Sequence, residues 1–133
     1  MPRLKDDQWC FACGPDNPHG LRLSGFRREG EDYLVDFTPQ RHHQGWQGIT
    51  HGGIAATVLD EVMTRILYEQ GLEVVTAEMT VRYHQPLPTG ETVQARARVV
   101  ESRGRLIRTE AELTGASGQR LASATAKFMK VGQ

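Results

Sequence analysis

The chain has 133 residues and a mass of 14.9 kDa, which is the size of one compact domain. Hydrophobic residues make up 38% and charged residues 24%, so the composition is that of a globular protein and excludes a disordered chain. Sixteen basic and sixteen acidic side chains give a net charge of +0, which argues against a dedicated nucleic-acid binder.

The sequence also lacks the apolar segments that direct a chain into or across a membrane. No apolar run approaches the ~20 residues that span a bilayer. The N-terminus, M-P-R-L-K-D-D-Q-W, has no apolar signal-peptide core. We therefore expect one soluble, cytoplasmic domain over residues 1–133, with no nucleic-acid or membrane partner.

The N-terminal segment, residues 1–20, carries the two cysteines of the chain, Cys10 and Cys13, in C-F-A-C-G. Two are too few for a disulfide framework, but their spacing suits half of a zinc knuckle. The remaining ligands could come from a partner chain or from the histidines His19, His42 and His43. A redox pair usually opens a helix, whereas turn residues follow here. A structural loop is the favoured interpretation, with a metal site and a redox pair as alternatives.

Two short strands are predicted next, over residues 21–28 and 31–38, with a turn between them. A loop rich in Gly, His and Gln covers residues 40–50. Residues 53–70 then show helical spacing of apolar side chains, with Thr50 as a candidate cap and Gly71 as the stop. The apolar arc of this helix exceeds a third of its circumference, so the helix must be enclosed by other elements.

After Gly71 the pattern changes to period two. Strands are predicted over residues 74–84, 92–102, 106–114 and 120–130. In the first of them, Val75, Ala77, Met79, Val81 and Tyr83 alternate with polar residues, which include Thr76. The order β-β-α-β-β-β-β predicts an α+β fold in which a curved antiparallel sheet wraps around one central helix.

The junction between the loop and the helix, H-G-G at positions 51–53, is the most informative segment. Glycines let the backbone approach a ligand closely, and the first amides of a helix have no internal partner. Gly52 and Gly53 therefore suit an oxyanion hole. His51 could hydrogen-bond a substrate carbonyl or organise the loop.

Asp60 is the candidate acid/base residue of this helix. Aspartate is a poor mid-helix residue, and its charge is costly to bury. We interpret Asp60 as a general base or a nucleophile; the alternative is an exposed carboxylate on the helix surface. Glu61 projects roughly 100° away and lies one turn from Arg65, so we expect a solvated ion pair there.

The spacing of H-G-G and an aspartate nine positions after the histidine resembles the hotdog-fold acyl-CoA thioesterases, especially the phenylacetic-acid-degradation (PaaI) type. Three other segments are similar to this family: C-F-A-C-G-P-D-N-P-H-G-L, V-T-A-E-M-T-V-R-Y-H-Q-P-L-P-T-G, and S-R-G-R-L-I-R-T-E-A-E-L with G-Q-R-L-A-S-A-T-A-K-F-M. The resemblance implies a hotdog fold, a homodimer or dimer of dimers, and active sites at the subunit interface. It implies no metal and no organic cofactor.

The resemblance also implies roles for single residues. Gly52 would offer its amide to the thioester carbonyl, and His51 would shape the loop. Asp60 of the other subunit would activate water or attack directly, and Thr76 would help to hold the water and the acid. Some members carry an asparagine where this chain has Gly45, so Gln44, Gln47 or a water would have to substitute.

Further candidates concern the substrate. Arginines suit phosphates, and several cluster in the C-terminal half: Arg82, Arg96, Arg98, Arg103, Arg105 and Arg108. Arg103 and Arg105 flank a turn and are the first choice for binding coenzyme A. Trp46 and Tyr83 are interpreted as pocket walls or core. The predicted substrate-binding residues are Gly53, Trp46, Gln44, His84, Arg103 and Arg105.

We therefore expect an enzyme that hydrolyses an acyl-CoA thioester to a carboxylic acid and free CoA. The first alternative is a non-catalytic acyl-CoA or fatty-acyl binding module that uses the same pocket. The others are a hotdog dehydratase or hydratase and a small zinc or redox protein. Aromatic, medium-chain and hydroxylated acyl groups all remain open.

Overall fold

A computed structural model of the protein describes residues 4–131. Within this range one α-helix, α1 (Gly52–Glu69), and a short 3₁₀ helix, Arg41–His43, accompany six strands. The strands are β1 (Arg27–Glu29), β2 (Asp32–Phe37), β3 (Val74–Tyr83), β4 (Val93–Arg103), β5 (Leu106–Thr114) and β6 (Arg120–Lys130). The predicted order of elements is confirmed. No helix among residues 4–131 is both long and apolar enough to cross a bilayer.

All six strands form one antiparallel sheet in the order β1-β2-β4-β5-β6-β3. The central helix α1 packs against it and supplies much of the core through its apolar stripe: Ala55, Val58, Leu59, Val62, Met63, Ile66 and Leu67 are all buried. The sheet contributes Phe128, Leu113 and Ile107 to the same cluster. The predicted α+β architecture, a sheet wrapped around one helix, is confirmed.

The strand predicted over residues 21–28 is wrong for most of its length. Only Arg27–Glu29 pairs with β2. The preceding residues instead bond the N-terminal loop: Leu21 N–H donates to Phe11 O at 2.9 Å, and Leu23 N–H donates to Ala12 O at 2.9 Å. Gly25, with φ +78°, lies between the residues that bond the N-terminal loop and the residues that pair with β2. Its left-handed backbone changes the direction of the chain there.

Strand β3 does not keep the strict alternation that its sequence predicts. Its register with β6 shifts between Thr76 and Glu78, so Ala77 is the extra residue of a β-bulge. Before the bulge, Val74 is buried and Thr76 contacts α1; after it, Met79 and Val81 pack against the core. The predicted polar-face position of Thr76 is therefore wrong, because the bulge exchanges the two faces of the strand. Val75 is 44% exposed for the same reason.

Helix α1 begins one residue earlier than predicted, and its cap is His51, not Thr50. The Thr50 side chain is buried, and its amide donates to Leu87 O at 2.8 Å. The His51 amide donates to His43 O at 2.8 Å. These two bonds hold the chain on both sides as it enters the helix, so the loop that carries the candidate oxyanion hole has a defined path.

Candidate active site

The helix start combines a histidine cap with an amide that is free to bind a ligand. His51 Nδ1 accepts a hydrogen bond from Gly53 N–H at 2.9 Å. In the neutral ring the proton then lies on Nε2. The Gly53 amide is therefore occupied, whereas the hydrogen bonds within residues 4–131 leave the Gly52 amide unpaired. Gly52 is the first residue of the helix, where the dipole favours negative charge.

Tyr83, predicted as a pocket wall or core residue, makes a specific contact with the helix start. Its hydroxyl donates to Gly52 O at 2.6 Å, and a Cβ added to Gly52 would lie 3.3 Å from the ring. The tyrosine is 52% exposed, so it is not a core residue. Its hydrogen bond to Gly52 O nevertheless holds it against the helix start. It fixes the peptide that follows Gly52 and so holds the helix start. The apolar alternation of Met79, Val81 and Tyr83 was the signal that placed it on the helix side.

Asp60 and Thr76 meet across α1 and β3. Thr76 Oγ1 donates to Asp60 Oδ1 at 2.8 Å. Burial raises the pKa of Asp60 above its ordinary value, and the Thr76 hydroxyl partly offsets this because it stabilises the carboxylate. Asp60 remains partly exposed. The β-bulge at Ala77 makes the contact possible, since it turns Thr76 toward the helix.

The candidate oxyanion donor and the candidate base lie far apart in one chain. Gly52 and Asp60 are eight positions apart on α1, which corresponds to about 12 Å along the axis. A base and an oxyanion donor must both lie about 3 Å from the reacting atoms. One chain therefore does not contain both groups at hydrogen-bond reach of one carbonyl.

The candidate phosphate ligands Arg103 and Arg105 lie at the end of the sheet away from Gly52. The β4–β5 turn that carries them is beside Lys130, whose amide donates to Arg105 O at 2.9 Å, and Lys130 pairs with Val74 at the start of β3. Gly52 lies at the other end of β3, beside Tyr83. The structure thus does not bring these arginines together with the helix start of their own chain.

Other arginines of the predicted cluster are committed to ion pairs. Arg96 contacts Asp32 at 2.6 Å and Glu29 at 2.7 Å, and Arg98 contacts Asp32 at 3.2 Å. These two arginines hold the pKa of Asp32 below its ordinary value against the opposing effect of burial. Arg96 and Arg98 therefore stabilise the β1–β2–β4 edge of the sheet through these ion pairs, and they are weaker candidates for binding the phosphates of CoA.

The loop before α1 carries Gln44, Gly45 and Trp46, and of these Gly45 lies against His51. Gln44 Oε1 accepts from Gly48 N–H at 3.1 Å, which closes the loop. A Cβ at Gly45 would lie 3.4 Å from the His51 ring, so this position borders the helix start. Trp46 lies at the tip and is 83% exposed, so in this chain it is not part of a core.

His84 follows Tyr83 but makes a different contact. Its Nε2 lies 2.9 Å from Ser123 Oγ on β6, and its amide donates to Leu121 O at 2.8 Å. Successive residues of an extended chain point to opposite faces, so His84 is directed away from the Gly52 contact of Tyr83. The structure does not bring the His84 ring together with the helix start.

The expected solvated Glu61–Arg65 ion pair is wrong. Glu61 is buried, with 8% of its surface exposed, and it faces the N-terminal loop. Burial raises the pKa of Glu61. The helical projection of the sequence did place Glu61 off the Asp60 direction, but it could not show that the Cys10–Cys13 loop covers that side.

Comparison with known proteins assigns the family. The sequence model of the family described as the thioesterase superfamily matches residues 47–122, which include the helix start, Asp60 and Thr76. The chain belongs to the thioesterase superfamily. The resemblance noted in the sequence is thereby confirmed at the level of the family.

Two curated relatives are named acyl-coenzyme A thioesterases. The chain is 34% identical to THEM4 of Xenopus laevis over 115 residues, covering 84% of this chain and 51% of the relative. It is 31% identical to acyl-coenzyme A thioesterase 13 of Homo sapiens over 92 residues, covering 67% of this chain and 66% of the relative. The chain thus spans about half to two-thirds of the length of these relatives.

Solved structures share the fold. The thioesterase superfamily protein RHA08564 has a TM-score of 0.84 at 25% identity, over 97% of this chain and 72% of that chain. The PaaI protein of E. coli, from the phenylacetic acid degradation operon, has a TM-score of 0.78 at 19% identity, over 84% and 81%. A hypothetical thioesterase of Streptococcus pneumoniae with coenzyme A has a TM-score of 0.76 at 17% identity, over 82% and 86%.

Proposed function

We propose that the protein hydrolyses an acyl-CoA thioester to a carboxylic acid and CoA. The observation that carries this proposal is the partly buried Asp60 carboxylate, held by Thr76 on the central helix of a thioesterase-superfamily chain. The names of the curated relatives, both acyl-coenzyme A thioesterases, support the same reaction. The solved relative that holds coenzyme A supports CoA as the leaving group.

The proposed reaction uses two groups, the Asp60 carboxylate and the Gly52 amide. In one route Asp60 removes a proton from a water molecule whose oxygen adds to the carbonyl carbon, the thioester C–S bond breaks, and the proton passes to the departing CoA sulfur. In the other route the Asp60 carboxylate adds to the carbonyl carbon, the C–S bond breaks to release CoA, and water then hydrolyses the mixed anhydride to regenerate Asp60 and free the carboxylic acid. The unpaired Gly52 amide donates to the carbonyl oxygen as negative charge develops there. His51 and Tyr83 hold that amide in place through their bonds to Gly53 N–H and Gly52 O.

The site is shared between two copies of the chain. The distance of about 12 Å between Gly52 and Asp60 along one helix supports an arrangement in which the two groups of a site come from different subunits. Strand β3 supports this arrangement because it lies at the edge of the sheet and is 10 residues long. Its unpaired backbone edge can join the same strand of a second copy. We propose a homodimer, or a dimer of dimers, on this basis.

In such a dimer the arginines of the β4–β5 turn would belong to the site that uses the Asp60 of their own chain. Asp60 contacts the first part of β3, and the turn lies at the same end of the sheet. Arg103 and Arg105 are both exposed there. Their guanidinium groups suit the phosphates of CoA.

A thiol-release assay on a panel of acyl-CoAs tests the reaction. We expect the purified protein to release CoA thiol from at least one aromatic, medium-chain or hydroxylated acyl-CoA. Calorimetry with the same compounds is run in parallel. Binding of acyl-CoA without thiol release would overturn the hydrolase and favour the acyl-CoA binding module.

The Thr76–Asp60 hydrogen bond predicts a pH effect. Asp60 must be ionised to accept a proton, so kcat/KM falls as the pH drops through its raised pKa. Replacing Thr76 with valine removes the bond that stabilises the carboxylate and raises this pKa further. We expect the acidic limb of the kcat/KM profile to move to higher pH in Thr76→Val, with the lost activity regained as the pH is raised.

Thr76→Ser is the matched control, because it keeps the hydroxyl and removes only a methyl group. Its acidic limb should stay close to that of the wild type. An acidic limb that is identical in Thr76→Val and the wild type would show that the hydroxyl does not act on the titrating group.

A further inference from the structure

Cys10, Cys13 and Glu61 form a compact cluster that the proposed reaction does not use. Their ligand atoms, two sulfurs and one carboxylate oxygen, all lie within 4.8 Å of one another. Cys10 Sγ is 4.0 Å from Glu61 Oε1, and both cysteines are free thiols. The cluster joins two distant parts of the chain, because Cys10 and Glu61 are 51 positions apart.

The loop that carries the two cysteines is built to keep both sulfurs on the helix side. The Cys13 amide donates to Cys10 Sγ at 3.4 Å, which fixes the position of that sulfur. The Gly14 amide donates to Cys10 O at 2.8 Å. A Cβ at Gly14 would lie 2.4 Å from Cys10 N, so the tight turn after the second cysteine requires glycine.

The net charge of the cluster and its surroundings favours binding of a divalent cation. Arg65 Nη1 lies 3.7 Å from Cys13 Sγ, and its guanidinium group is seated 4.5 Å from the Phe26 ring centroid. When a metal ion displaces the two thiol protons, the thiolates and the carboxylate carry three negative charges, and Arg65 with a divalent cation carries three positive charges. The cluster is therefore neutral when a divalent cation is bound. This neutrality offsets the cost of burying the Glu61 carboxylate.

The donor set selects the metal. Two thiolates are soft ligands that favour Zn²⁺ over Mg²⁺ or Ca²⁺, and a carboxylate oxygen is a regular third ligand of zinc. The partly exposed cysteines leave access for water as a fourth ligand. His43, a ligand suggested by the sequence, is occupied elsewhere, since its Nδ1 accepts from Gln40 N–H at 2.9 Å.

We propose that Cys10, Cys13 and Glu61 bind one Zn²⁺ ion, which cross-links the N-terminal loop to the central helix. The ion stabilises the fold, because metal ligands from distant parts of the chain are brought together only in the folded state. The proposal uses neither Asp60 nor Gly52. It therefore does not depend on the proposed reaction and can fail or hold separately from it.

Metal titration of the full-length, reduced protein tests this site. After chelator treatment and removal of the chelator, Zn²⁺ is added and unbound metal is removed by desalting. We expect elemental analysis to find about one zinc per chain, and the thermal midpoint to rise on zinc addition. Co²⁺ in place of Zn²⁺ should produce a near-ultraviolet thiolate-to-cobalt charge-transfer band.

Variants separate the three-ligand site from binding by two cysteines alone. Cys10→Ser and Cys13→Ser should abolish the charge-transfer band. Glu61→Gln should weaken zinc binding by more than about 100-fold, since changes to outer-shell partners alone cost 10- to 100-fold. Asp16→Asn, which changes an exposed carboxylate of the same loop, is the control and should bind zinc as the wild type does.

Three results would overturn the proposal. The first is wild-type protein that retains no zinc and shows no charge-transfer band while its thiols are demonstrably reduced. The second is a Glu61→Gln variant with unchanged zinc affinity. The third is a Cys10–Cys13 disulfide that forms under oxidation in a chain whose reduced form binds no zinc. The wild-type measurements stand even where a variant fails to fold.

Discussion

Replacing Asp60 with asparagine is expected to lower kcat for thioester hydrolysis by about 10²- to 10⁴-fold, the contribution that a positioned general base typically makes. Asparagine has nearly the shape of aspartate and can still pair with the Thr76 hydroxyl, but it can neither accept a proton from water nor attack the thioester. Thiol release is the measurement. Acyl-CoA binding, measured by calorimetry, should persist because the side chain keeps its volume.

The same variant should be more stable than the wild type at neutral pH. The pKa of Asp60 is raised in the folded chain, so ionising this carboxylate costs folding free energy above that pKa, and the cost disappears at lower pH. Removing the charge removes the cost. Urea unfolding at neutral and at acidic pH checks this, with the largest gain expected at neutral pH. A loss of activity together with this gain excludes unfolding as the cause of inactivity.

Asp16→Asn is the matched control for Asp60→Asn, because Asp16 is exposed in the N-terminal loop. It should leave both kcat and stability close to their wild-type values. Normal turnover of several acyl-CoAs by Asp60→Asn would falsify the role assigned to this residue.

Replacing Gly52 with proline is expected to lower kcat by about 10²- to 10³-fold, the usual cost of one oxyanion donor. Proline lacks the amide hydrogen, and it is favoured at the first residue of a helix. His51 already has the extended backbone, φ −60° and ψ 134°, that a residue before proline requires. The substitution therefore deletes the donor with little damage to the helix.

Gly52→Ala is the control for the side-chain atoms that proline adds. It keeps the amide hydrogen but introduces the same Cβ, which would lie 3.3 Å from the Tyr83 ring. The ratio of kcat between the alanine and proline variants isolates the contribution of the amide. Equal activities in the two variants would mean that the Gly52 amide does not stabilise the transition state.

The two substitutions together test whether the active site is shared. In a dimer that combines Asp60 of one subunit with Gly52 of the other, a mixed dimer of Asp60→Asn and Gly52→Pro chains contains one intact site. Co-expression of the two inactive chains should restore about one quarter of the wild-type activity when the subunits of a two-fold dimer pair at random. No recovery, despite mixed dimers demonstrated with two affinity tags, would contradict the shared site.

Much of the fold was predictable because it depends on local periodicity. The helix predicted over residues 53–70 agrees with α1 to within one residue at each end, since its apolar side chains recur at helical spacing and Gly71 follows. The strands after it have period two and were predicted to within one residue at each end. With a single strongly apolar helix, the sheet had to wrap around it.

The positions of Thr76 and of residues 21–26 depended on pairing between distant strands and loops. The bulge at Ala77 arises from the register between β3 and β6, and it reverses which side chains face the helix. Leu21 and Leu23 bond the N-terminal loop and not β2. A period-two pattern contains neither fact, because it describes one strand and not its partner.

By itself the sequence determined the family, the central helix and the position of Asp60 within it. Only the tertiary structure decided that Thr76 contacts Asp60, that Tyr83 holds Gly52, and that Glu61 is buried against Cys10 and Cys13. The physical reason is the range of the interactions. Helical and strand periodicity record which side of an element is apolar, whereas the groups that cover each side come from segments far away in the chain and are set by packing.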